Sequence, residues 1–173
     1  MINKKRLIIL YTLYFIALMW IILGRMNISE FCGKYRGVVL TPFTDEYFYT
    51  SKFAHDVCII GNVLLFIPIG IYLPLFFREK KTFIRIVLSL LCIVFASLFL
   101  ETMQYILEIG TSSSTDLIHN SLGGIIGVFI YEVLKRFVSN KIIDLINKWC
   151  IFILIFIDIF AIINTIINIK LYL

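Results

Sequence analysis

The chain is predicted to be all-α, a polytopic membrane helix bundle of about five transmembrane helices with the amino terminus inside and the carboxyl terminus outside. Three observations predict this. Of 173 residues, 61% are hydrophobic and only 16% charged, against about 45–50% and about 25% in soluble domains. Most apolar residues fall in runs of 17 to 24, long enough to cross a hydrocarbon core roughly 30 Å thick. The lysines and arginines collect between these runs, mostly in alternate connections. A soluble fold of this composition would expose large apolar patches and aggregate.

Lys4-Lys5-Arg6 precedes the apolar stretch Leu7 to Leu23. A cleaved signal peptide is the alternative, but the run exceeds a usual h-region, and Gly24-Arg25-Met26 offers no small-x-small cleavage site. It therefore reads as an uncleaved first span. The second runs from about Val57 to Phe77 and contains Pro68 and Pro74. The third runs from Ile84 to about Leu107, the fourth from Leu117 to Leu134, and the fifth from Trp149 to Ile169. No internal repeat or Gly/Ser linker divides them, so one domain over 1–173 is expected. The long connection, Gly24 to Asp56, contains the turn-forming Thr41-Pro42-Phe43.

With the amino terminus inside, eleven lysines and arginines fall on the inner side and five on the outer. That asymmetry sets the direction. The net charge of +5 then faces an anionic lipid surface, and no nucleic-acid partner is expected. The fifth span carries Asp158 near its middle. An aspartate there costs roughly 2.5–3.5 kcal/mol, while the fourteen Ile, Leu and Phe residues from Cys150 to Ile169 return about 4–8 kcal/mol. The span should insert, with the side bearing Asp158, Thr165 and Asn168 turned towards other helices.

This topology gathers the polar residues at one level. The second span starts outside with Gly61-Asn62, the third ends outside with Glu101-Thr102-Met103-Gln104, and the fourth starts outside with Asp116-Leu117-Ile118-His119-Asn120. Ser97, Glu101, Gln104 and Glu108 fall within about 60° of arc, and Asp116, Asn120, Gly123, Gly124 and Gly127 within about 100°. Gly123 and Gly127 form a G-x-x-x-G step, which lets another helix pack closely. Asn62, Glu101, Gln104, Asp116 and Asn120 are therefore candidates for a polar pocket, with Arg36 (or Lys34) as counter-charge.

Blander roles compete for most of these. Ser113-Ser114-Thr115-Asp116 fits a capping box, the glycines serve packing, and the amides serve interhelical hydrogen bonding. Glu101 is hardest to dismiss, because ionisable residues inside spans are usually functional. His55 and His119 make no metal pattern, no nucleophilic triad is visible, and no metal or cofactor is expected. Cys92 and Cys150 read as small hydrophobes, whereas Cys32 and Cys58 both fall outside and are able to pair.

These same residues carry a resemblance. Arg36, Leu40-Thr41-Pro42-Phe43 and Gly61-Asn62-Val63-Leu64-Leu65-Phe66-Ile67-Pro68-Ile69-Gly70 resemble the first half of the VanZ family pattern. Glu101-x-x-Gln104, Ile109-Gly110, Asp116-Leu117-Ile118-His119-Asn120-Ser121-Leu122-Gly123-Gly124 and Gly127 resemble the second, so the likeness spans about 36–131. Thr111 and Val39 depart from it, standing where many members have arginine and asparagine. The resemblance implies a small multi-pass protein of the bacterial plasma membrane, linked to low-level resistance to teicoplanin, a lipid-tailed glycopeptide. It implies no settled reaction.

The expected function is a non-catalytic role in glycopeptide resistance or cell-envelope lipid handling, through an outer-leaflet pocket. The expected partners are membrane lipids and either a lipid-linked cell-wall intermediate or the lipoglycopeptide. Two alternatives stay open. One is an intramembrane enzyme on a lipid or wall headgroup, with Glu101 and Asp116 as acid and base. The other is a structural partner of another membrane protein, which the Gly123-x-x-x-Gly127 step favours. Transport is disfavoured by the lack of inverted repeats.

Overall fold

The structure, a computed structural model, describes residues 4–23, 37–44, 51–107 and 111–172. Five helices account for nearly all of it: α1 (Lys4–Leu23), α2 (Lys52–Phe76), α3 (Thr82–Ile106), α4 (Ser114–Leu134) and α5 (Asn140–Tyr172). Four of them contain stretches long and apolar enough to cross a membrane, over His55–Phe76, Thr82–Ile106, Ser114–Leu134 and Asn140–Ile163. Only 22–39% of those stretches is buried within the protein. The remainder, including Phe95, Phe129 and Phe156, is covered only if lipid covers it. The chain is a membrane protein.

The helices extend beyond their apolar runs. α2 begins at Lys52 and α5 at Asn140, ahead of the expected Val57 and Trp149. Polar residues add helical turns at a membrane boundary because an amphipathic turn satisfies its backbone while keeping its charges wet. Ser139 accepts from the Ile142 N–H at 3.4 Å where α5 starts. The connection from α2 to α3 is short because Pro74 and the turn closed by Phe77 N–H to the Pro74 carbonyl (3.1 Å) end α2.

Within lipid, apolar burial does not draw helices together, so close packing and polar contacts must. The α2–α4 pair shows the packing. Gly123 and Gly127 of α4 lie on the backbone of α2 at Val63 and Ile67, and Gly70 of α2 lies on Gly124 and Gly127. A Cβ on Gly127 would stand 2.7 Å from the Gly70 Cα. Beside this seam, Leu18, Phe66, Ile69, Leu73, Ile93, Leu100 and Val128 form the largest apolar cluster, shared by α1 to α4.

α3 presents a stripe at helical spacing, Arg85, Ser89, Ile93, Ser97, Leu100, Glu101 and Gln104, all buried. Arg85 is one of the eleven inner lysines and arginines, one residue inside the expected start of the third span. It lies inside α3, its Nε donating to Glu132 Oε1 (2.8 Å) and its Nη2 to Oε2 (3.1 Å), with Lys135 on the same carboxylate. Its charge still sits at the end of the bundle where the Lys and Arg residues concentrate. At that end Arg6 of α1 also pairs with Asp144 of α5 at 2.6 Å. α5 lies along α1, turning Leu154, Asp158 and Ala161 inward. The side chains of Thr165 and Asn168 lie outside the described residues.

An all-α reading does not foresee the remaining element. Gly37–Val39 (β1) pairs in parallel with Thr111–Ser113 (β2), Gly37 opposite Thr111 and Val39 opposite Ser113. Three-residue strands carry too little alternation to be recognised in sequence. They pin the long α1–α2 connection to the start of α4.

Candidate functional site

The β1–β2 ladder lies at the end of the bundle formed by the start of α2, the end of α3 and the start of α4. Asn62, Glu101, Gln104, Asp116 and Asn120 are all buried there, none more than 7% exposed. Each is placed by helical spacing on an inward stripe; α3 ends just after Gln104 and α4 begins just before Asp116.

The contacts divide the set into three. Asn62 Nδ2 of α2 donates to Asp116 Oδ1 of α4 at 2.5 Å. Asn120 Nδ2, one turn further along α4, donates to Ser97 Oγ of α3 at 3.0 Å. Glu101 Oε2 accepts the backbone N–H of Ser113 at 3.0 Å, so the end of α3 is fastened to β2. Gln104 is buried beside these, its Oε1 without a hydrogen-bond partner among the described residues, as is Asn120 Oδ1. Arg36 and Lys34 lie outside the described residues, as does Cys32. Gly37, which follows Arg36 in the chain, begins β1.

The start of α4 combines two roles that the sequence offers as alternatives. Ser113 is the N-cap, its Oγ accepting from the Thr115 N–H at 3.0 Å. In a full capping box the carboxylate three residues on would take the cap residue's own N–H. Here Glu101 takes that N–H from another helix, and Asp116 reaches across to Asn62. Asp116 also stands in the first turn of α4, where the helix dipole favours a negative charge. A local cap has become a three-helix junction.

The loop residues complete the junction. The Phe43 N–H donates to Thr115 Oγ1 at 2.9 Å, and Ser114 Oγ donates to the Leu40 carbonyl at 3.0 Å. Phe43 adopts φ 61°, a conformation that costs a bulky residue about 1–3 kcal/mol. It follows Pro42 in a turn closed by Thr44 Oγ1 on the Thr41 carbonyl (2.8 Å). Its ring lies edge-on to His119, centroids 6.2 Å apart. Leu40, Phe43, Tyr105 and Leu107 are exposed at this end of the bundle. Leu40 and Phe43 belong to the Leu40-Thr41-Pro42-Phe43 motif of the sequence. Their contact with α4 was visible only in three dimensions.

Chemically, the site offers two carboxylates, three carboxamides and several hydroxyls. Among the described residues no three His, Cys, Asp or Glu side chains are placed to hold a metal ion. The comparisons agree on ancestry. Residues 11–135 match the family model described as VanZ/LLP1. The chain is similar to Protein VanZ of Enterococcus faecium, 32% identical over 138 residues that cover 78% of this chain and 79% of that protein. No solved structure is significantly similar to it.

Proposed function

This chain belongs to the VanZ/LLP1 family, and from that premise we propose that it acts in the bacterial plasma membrane as a non-catalytic receptor for an amphiphile. The ligand is a lipid-linked cell-wall intermediate or a lipid-tailed glycopeptide such as teicoplanin, and the outcome is low-level drug tolerance. One observation carries the reading: five polar side chains from three helices are buried at one end, with Gln104 Oε1 and Asn120 Oδ1 unpartnered among the described residues. Unpaired acceptors are costly beside hydrocarbon. A headgroup hydroxyl or amide N–H would satisfy them, while Leu40, Phe43 and Tyr105, exposed at the same end, suit the apolar part of the same molecule.

The loop charges support an outer-leaflet location. Lysines and arginines favour the opposite end, which the positive-inside bias assigns to the cytoplasm. Arg36, one residue before β1, is the proposed counter-charge to Glu101 or Asp116.

In a deletion strain complemented with variants, Glu101→Gln and Asn120→Ala are expected to abolish tolerance to a lipid-tailed glycopeptide at unchanged membrane expression. Wild-type tolerance in both variants would sink the pocket. Incubation of the purified protein with labelled wall precursors tests the catalytic alternative; turnover that disappears in Glu101→Gln would replace the receptor with an enzyme.

A further inference from the structure

A second cavity, of about 430 Å³, lies between α1, α2 and α5 on the side of α2 away from α4. Tyr14, Pro68, Tyr72, Ile146, Cys150 and Ile153 line it. Its wall is almost wholly apolar, and two of the three tyrosines that line it have bonded hydroxyls. The Tyr14 hydroxyl donates to the Leu65 carbonyl at 2.6 Å, and the Tyr72 hydroxyl meets Cys150 Sγ at 3.4 Å. Pro68 has no N–H to present. A buried water needs two to four polar partners, and this wall is almost wholly apolar. Left empty, its lining would forfeit dispersion contacts.

We propose that this cavity holds one acyl chain of a bilayer phospholipid. Its lining residues lie in the middle of α1 and, on α2, six to ten residues along from Asn62; those of α2 and α5 fall within the membrane-crossing stretches. At that depth the mobile apolar matter is lipid chain. Ile146 and Ile153 are about half exposed, so the rim on α5 opens sideways towards lipid. The seam of Gly70, Gly123 and Gly127 closes the other side of α2 backbone to backbone, which separates the cavity from the polar site. This inference therefore does not rest on the proposed receptor function. Part of the wall comes from α5, which lies beyond the family match at residues 11–135. The effect of the bound acyl chain is to fill the gap that α5 would otherwise leave against α1 and α2.

The test uses the full chain in phosphatidylcholine–phosphatidylglycerol vesicles doped with a phospholipid bearing a diazirine on one acyl chain. After irradiation, mapped crosslinks are expected at Tyr72, Cys150 and Ile153 several-fold above those at the exposed residues Phe95 and Phe129. Ile153→Trp, and separately Ile146→Trp, should reduce the excess to the exposed level while the protein still elutes as a single folded species. Either rim variant suffices if the other misfolds. Labelling at the lining residues no higher than at Phe95, or an excess that survives a folded rim variant, overturns the proposal. Drug tolerance does not enter this readout, so its outcome is independent of the polar site.

Discussion

Replacing Gly127 with alanine should separate α4 from α2 and cost the protein most of its folded population in detergent. The added Cβ would fall on the Ile67 carbonyl oxygen and within 2.7 Å of the Gly70 Cα. Both obstacles are backbone, so no rotamer change relieves them. Ordinary overpacking costs about 1–3 kcal/mol because side chains yield, and this contact should exceed that. Gly123→Ala, which meets the Val63 carbonyl, should behave alike.

Two controls sharpen the expectation. A Cβ on Gly124 meets the Ile93 side chain at 2.5 Å, so Gly124→Ala should be milder and partly rescued by Ile93→Ala. A Cβ on Gly61 meets nothing within 4 Å, and Gly61→Ala should gain up to about 1 kcal/mol in helix propensity. Thermal stability of the detergent-solubilised variants, followed by the surviving monodisperse fraction, gives the order. Equal stabilities for Gly127→Ala and Gly61→Ala would show that the α2–α4 seam does not hold the bundle together.

The second large effect is expected from Glu132→Ala. Arg85 is 6% exposed and is held by both oxygens of Glu132, with the Thr82 hydroxyl and the Lys80 carbonyl as further acceptors at 3.2 and 3.3 Å. Its guanidinium also lies 5.9 Å from the centre of the Tyr131 ring. Removing Glu132 leaves a buried cation with two neutral acceptors, a loss of about 3–5 kcal/mol by analogy with broken buried pairs. Replacing both partners, Arg85→Leu with Glu132→Leu, removes the charge along with its need for a partner and should restore much of the stability. The same thermal assay distinguishes the two. A double variant as unstable as Glu132→Ala would mean that the pair contributes specific geometry which apolar packing cannot replace.

This pair also shows where sequence reading stops. Arg85 sits four residues after Lys81 at the edge of an apolar run, which suits a loop charge as well as a buried one. Glu132 lies in the last turn of α4, three residues before Lys135, a spacing that by itself suits an intrahelical pair. Only the meeting of the first turn of α3 with the last turn of α4 decides otherwise. The polar set was easier to see, because Asn62, Glu101, Gln104, Asp116 and Asn120 interrupt apolar helices at positions that periodicity can align. Periodicity did not predict which of them would touch. Asp116 chose Asn62 over its own cap, and Glu101 chose the backbone of Ser113.

By itself, then, the sequence determined that this is a helical membrane protein with its polar residues collected at one end. Length, composition and a period near four residues are properties of single segments, and lipid leaves those segments little choice but to be helices. The structure alone decided the β1–β2 ladder, the three-helix junction on Ser113, the Arg85–Glu132 pair and the cavity against α5. Each depends on residues brought together from distant parts of the chain. The close approach of α4 to α2 at Gly123 and Gly127 is likewise a property of the packed bundle.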